Sequence, residues 1–194
     1  IWILDLARKT LTRLTVDPDL SRLPIWMDAQ RVAFTVTKDG QPGSSIRVQA
    51  ADGSAPSQSL LDDAKNKWLA SSASPDGTRI VVSPDTTPYD IGFFTIGATP
   101  SVTELLKAPF NEFNGEISPD GRWLAFQSNE SGQHEIYVQE FPEARSKWQI
   151  STSGGRDPQW RGDGRELFYR APDARLMAVP VDKSAAFAAG TPQP

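Results

Sequence analysis

Short runs of alternating apolar and polar residues fill this chain, broken by turns rich in Pro, Asp, Gly and Ser. A period of two places successive side chains on opposite faces, so each run reads as a strand. The runs fall into sets of four. The first set spans 22–27, 31–36, 44–50 and 57–61, and the second 68–74, 78–83, 90–96 and 101–106. The third spans 113–118, 122–128, 134–140 and 146–150. The fourth gives 156–161, 165–170 and 175–181, then fades into small residues. In the best strand both faces are apolar, with Trp123 and Ala125 on one side and Leu124 and Phe126 on the other. Such a strand must be covered on both faces.

Each set carries a tight turn between its first two strands. The best copies are Ser74-Pro75-Asp76-Gly77 and Ser118-Pro119-Asp120-Gly121; Arg161-Gly162-Asp163-Gly164 and Met27-Asp28-Ala29-Gln30 are weaker. Proline pre-sets φ near −65°, aspartate bonds its own backbone, and glycine supplies φ > 0, which together build a hairpin turn. The turn aspartates are 48, 44 and 43 residues apart. Strand-and-turn repeats of that length predict an all-β fold, a β-propeller segment of about four to five four-stranded antiparallel blades.

The ends are incomplete on this reading. Ile1–Leu6 and Leu11–Thr15 resemble the third and fourth strands of a blade. Residues 1–194 therefore read as one propeller segment that starts and ends mid-blade, with 184–194 a poorly structured tail. Three arrangements fit: a small ring in which residues 1–15 complete the last blade, an open arc, or two chains sharing one ring. Open arcs leave apolar faces and strand edges uncovered, which favours a homodimer through the incomplete blades.

Composition removes several functions. The net charge of −4 and pI near 5.0 leave no basic surplus for nucleic acid or anionic lipid. No apolar run is long enough for this segment to enter a membrane. Without cysteine there is no disulfide, thiolate ligand or thiol nucleophile. His134, the single histidine, precedes Glu135, but Val138 stands where an H-E-x-x-H zinc helix needs its second histidine. No G-x-S-x-G elbow exists. Asp17, Asp19, Asp39 and Asp52 read as solvated turn acids, and Asp62-Asp63 with Lys65 and Lys67 as a solvated loop. No cofactor, metal or catalytic set is expected. Trp26, Trp123 and Trp160 are expected to fill space between blades, with Trp68 and Trp148 in similar roles.

The run Ile117-Ser118-Pro119-Asp120-Gly121-Arg122-Trp123-Leu124-Ala125-Phe126, followed by Glu135-Ile136-Tyr137-Val138, resembles the repeat of TolB-type WD-like β-propellers. Trp160 to Val181 resembles the C-terminal propellers of bacterial Ser/Thr kinases. The resemblance implies a non-catalytic sensing or interaction domain of a bacterial envelope or receptor-kinase-like protein, periplasmic or otherwise extracytoplasmic. Its partner would be a protein or peptide, or a small ligand. The alternative is the substrate-gating propeller of a prolyl-oligopeptidase-like peptidase. In either case the loops entering the innermost strands surround the channel mouth. Their polar residues Arg22, Lys65, Lys67, Asn111, Glu112, Asn114, Arg156 and Asp157 are the candidate ligand contacts.

Overall fold

The computed structural model describes residues 1–97, 101–182 and 186–194. Two short strands come first, β1 (Trp2–Asp5) and β2 (Thr10–Arg13), paired as a hairpin. Four antiparallel four-stranded sheets follow in chain order. The first blade holds β3 (Leu20–Trp26), β4 (Arg31–Thr37), β5 (Ser44–Ala50) and β6 (Gln58–Asp63). The second holds β7 (Trp68–Ala73), β8 (Arg79–Pro84), β9 (Ile91–Thr95) and β10 (Thr103–Leu106). The third holds β11 (Glu112–Ile117), β12 (Trp123–Ser128), β13 (Glu135–Glu140) and β14 (Lys147–Gln149). The fourth holds β15 (Arg156–Trp160), β16 (Glu166–Arg170), β17 (Leu176–Asp182) and β18 (Ala188–Ala189).

The repeated turns close the first hairpin of every blade as their chemistry demands. Asp76 Oδ1 accepts from Ser74 Oγ at 2.5 Å, Thr78 Oγ1 at 2.8 Å and the Thr78 amide at 3.0 Å. These hydrogen bonds pull its carboxyl down to about 2. Asp120 repeats the pattern with Ser118 Oγ and the Arg122 amide. Gly77, Gly121 and Gly164 take φ of 68°, 73° and 67°. The turn lacking Pro and Gly is built by Asp28 alone, which accepts from the Gln30 and Arg31 amides at 2.8 Å.

Burial lies between blades. Trp123, Ala125, Ile136 and Val138 pack against Leu167, Tyr169 and Val179 of the fourth blade. The opposite face of the third blade, Leu124, Phe126 and Tyr137, meets Val81 and Ile91 of the second. Ala33, Ile46 and Val48 meet Ala70, Ile80 and Val82 across the next seam. Ile3 and Leu14 cover Val32, Phe34 and Val36. Each fully buried aliphatic or aromatic side chain contributes about 2 kcal/mol, against about 1 kcal/mol net for a ladder hydrogen bond.

Three expectations change. Within the segment read as a loose tail, Ala188–Ala189 pair with Val181 and Asp182, and Gln193 bridges Ala178. Phe187 anchors this strand against Trp123 and Trp148, with ring centroids 5.2 and 5.0 Å away. The last blade thus has four strands of its own, and the β1–β2 hairpin packs on the first blade instead of completing the last. Ser184 and Ala185 lie outside the described residues. Trp26 is 57% exposed instead of buried, because the two-stranded hairpin covers β4 and leaves the inner strand β3 open. Asp63 is structural: it accepts from Trp68 Nε1 at 2.9 Å and from the Lys65 and Asn66 amides.

Candidate functional site

The innermost strand of every blade is bulged. Between Arg22 and Ile25, between Phe113 and Glu116, and between Arg156 and Gln159, two residues face one on the neighbouring strand. The inserted pairs are Leu23-Pro24, Asn114-Gly115 and Asp157-Pro158. In each pair the first residue is left-handed, with φ of 54°, 55° and 55°. Such non-glycine backbone costs on the order of 1 kcal/mol and persists where the surroundings hold it. Proline suits the second position because it brings no amide needing a partner. Gly115 suits it because a Cβ there would stand 3.0 Å from Val81 Cγ1. β7 carries a shorter bulge at Ser71, whose Oγ donates to the Gly115 carbonyl at 2.8 Å.

The four bulges surround an axial cavity of about 500 Å³. Its wall is apolar at Leu23, Pro24, Ile25, Leu69, Phe113 and Pro158, and polar at Ser71, Ser83, Tyr89, Asn114, Glu116, Asp157 and Gln159. Asn114 Nδ2 donates to Asp157 Oδ1 at 2.9 Å and to Gln127 Oε1 at 3.1 Å, joining the third and fourth blades. Arg170 Nη2 and Nε hold Asp157 Oδ2 at 2.5 and 3.0 Å. Glu116 is half-buried and accepts from Gln159 Nε2 at 2.6 Å. Burial pushes its carboxyl up to about 7, only partly opposed by that bond.

The candidate contacts spread over the mouth instead of converging. Asn114 and Asp157 line the cavity. Arg22 reaches across to Asp85 at 3.0 Å and clamps the first blade to the second, whereas the Lys67 carbonyl accepts from the Asp85 amide and only extends the β7–β8 ladder within the second blade. Lys65 is exposed on the connecting loop. Asn111 Oδ1 accepts from the Tyr89 amide, and its own amide donates to Asn129 Oδ1, which makes it a loop fastener. Glu112 is 2% exposed, with Oε2 unpartnered. Burial first, then the neighbouring Asp90 charge, pushes its carboxyl up to about 7. Arg156 opens onto a separate pocket of about 280 Å³ with His134 and Arg170. His134 is half-buried against Phe113, ring centroids 5.5 Å apart.

Glu116, Gln159, Ser71 and Ser83 were not among the sequence candidates. Pro24 and Pro158 offered the signal, since proline inside a strand pattern marks a bulge or an edge. Among the described residues, no group of three or more His, Asp or Glu is placed to hold a metal ion.

No family model matches the chain, and no curated protein matches it in sequence. Solved structures do match. The putative TolB from Agrobacterium tumefaciens superposes with a TM-score of 0.75 at 18% identity, over 95% of this chain and 69% of that one. TolB from Acinetobacter baumannii gives 0.72 at 18% identity, over 99% of this chain and 48% of that one. A puromycin-hydrolyzing peptidase from Mycobacterium tuberculosis gives 0.63 at 18% identity, over 90% of this chain and 29% of that one. Against the last two, the chain spans half the length or less. Two-faced four-stranded blades and these superpositions agree: the fold is a β-propeller, similar to that of the TolB structures.

Proposed function

We propose that this chain is a non-catalytic recognition module that binds a peptide or small ligand in the axial cavity, as part of a bacterial envelope or receptor-kinase-like protein. The observation that carries the reading is the ring of left-handed bulge residues. Leu23, Asn114 and Asp157 hold costly backbone at equivalent places, all facing one cavity of about 500 Å³. That volume suits a drug-sized molecule or a short peptide segment. Convergent strain at a concave site is the usual mark of a functional surface. An extracytoplasmic setting fits a module whose partners are peptides or proteins.

Thermal-shift and calorimetric titration of short peptides and small metabolites tests this, with Asn114→Ala and Asp157→Ala as controls. Binding that both variants weaken supports the reading. A full panel without a stabilising ligand, or one whose effect both variants leave intact, sinks it.

A second reading is the substrate-gating propeller of a prolyl-oligopeptidase-like peptidase. The superposition on a peptidase over 90% of this chain favours it. Peptide hydrolysis by the full-length gene product, absent from the isolated chain, would select that reading.

A further inference from the structure

The cavity carries two carboxylates on its wall, and only one has a cationic partner. Asp157 is held by two nitrogens of Arg170. Glu116 has an amide donor, Gln159, and no lysine, arginine or histidine lines the cavity beside it. The elements packed around Glu116 bring no compensating charge. β7 contributes Ser71, β12 places Ala125 opposite it, and β15 contributes Gln159 and the already paired Asp157, while Arg156 of β15 lines a separate pocket with His134. Even partial loss of water without a cation opposes ionisation, and it pushes the half-buried Glu116 up to about 7.

A second wall group is also unsatisfied. Ser83 is 4% exposed, lines the same cavity, and its Oγ has no hydrogen-bond partner. Buried hydroxyls are nearly always paired in folded proteins. Much of the remaining wall is apolar, with Leu69, Ile25 and the Phe113 and Tyr89 rings 5.4 Å apart. The unmet needs are a positive charge, a hydrogen-bond donor and an apolar body.

We propose that the axial cavity binds a primary ammonium group attached to an apolar body, its charge compensated by Glu116. The inference rests on the cavity being the recognition site. An ammonium supplies three donors and one charge, and its neutral acetamide supplies one donor and no charge. The same chemistry occurs in a free amine and at the N-terminus of a peptide with an apolar first residue.

Calorimetry with phenethylamine, N-acetylphenethylamine, a phenylalanyl-alanyl amide and its N-acetylated form distinguishes the cases. The ammonium forms are expected to bind at least about ten-fold more tightly than their acetylated counterparts. Binding of phenethylamine alone identifies a small-amine site; preference for the dipeptide identifies a peptide N-terminus. Glu116→Gln keeps the shape and a hydrogen-bonding amide, so it should fold and abolish the discrimination. Equal binding of charged and acetylated probes, with Asn114→Ala weakening both, overturns the ammonium and leaves the cavity as the site. Discrimination that survives in Glu116→Gln overturns it as well. So does failure of both ammonium probes to bind, while the broader peptide panel still judges the cavity.

Discussion

At the scale of single residues, the same side chain takes opposite roles according to its solvent. Asp76 and Asp120 sit in turns and accept local hydrogen bonds that hold the hairpins, and at Asp76 those bonds favour ionisation. Glu112 is buried and Glu116 half-buried, and the loss of water opposes ionisation: both are pushed from an ordinary value of 4.5 up to about 7. Between those values the folded chain binds more protons than the unfolded one. Stability therefore falls as pH rises from about 4.5 to 7, with the full penalty present above 7. Urea midpoints measured from pH 5 to 8 are expected to decline across that window. In Glu112→Gln, which removes one buried ionisation, the decline should shrink and stability at pH 8 should rise. An unchanged slope would place the titration elsewhere. The turn aspartates were readable because their partners lie within a few residues. The behaviour of Glu116 was not, because it follows from burial against Gln159, 43 residues away.

At the scale of elements, the inner strands explain how blades are joined. A bulge interrupts the ladder and leaves backbone groups to be paired otherwise. Neighbouring blades supply the partners. The Ala70 amide donates to Thr35 Oγ1 at 3.1 Å, and the Ile117 amide donates to Ser72 Oγ at 2.9 Å. Trp160 Nε1 donates to the Glu116 carbonyl at 3.0 Å. Ser72→Ala would orphan the buried Ile117 amide and is expected to cost about 1–3 kcal/mol. In urea unfolding its midpoint should fall with the slope unchanged. A loss under about 0.5 kcal/mol, the range of ordinary surface changes, would mean the seam does not depend on this bond. The strands themselves were legible to within a residue or two from alternation. The bulges were written as Pro24 and Pro158, yet their handedness and shared direction appear only when four strands meet.

At the scale of the whole molecule, the two ends of the array differ. The fourth blade is finished by β18, whose small residues carry no alternation to betray a strand. The β1–β2 hairpin covers the first blade with Ile3 and turns Trp2, Leu4 and Leu11 outward, at 58%, 56% and 61% exposure. A contiguous apolar face of this kind promotes association. Sedimentation velocity on this chain is expected to show mass rising with concentration. Leu4→Asp with Leu11→Asp should suppress it with little change in thermal stability. Association that persists in the double variant would place the contact on another face.

The sequence by itself determined the repeat, the hairpin turns and the two-faced strands, because each depends on neighbours within a few residues or on a period of two. The tertiary structure alone decided where the cavity lies and which carboxyls are stripped of water. It also decided that the supposed tail carries a short strand, Ala188–Ala189. The cavity and the burial of Glu116 arise from groups 43 residues apart, and the last strand is fixed by Phe187 packing on Trp123 of the third blade, contacts that come into being only when blades pack against one another.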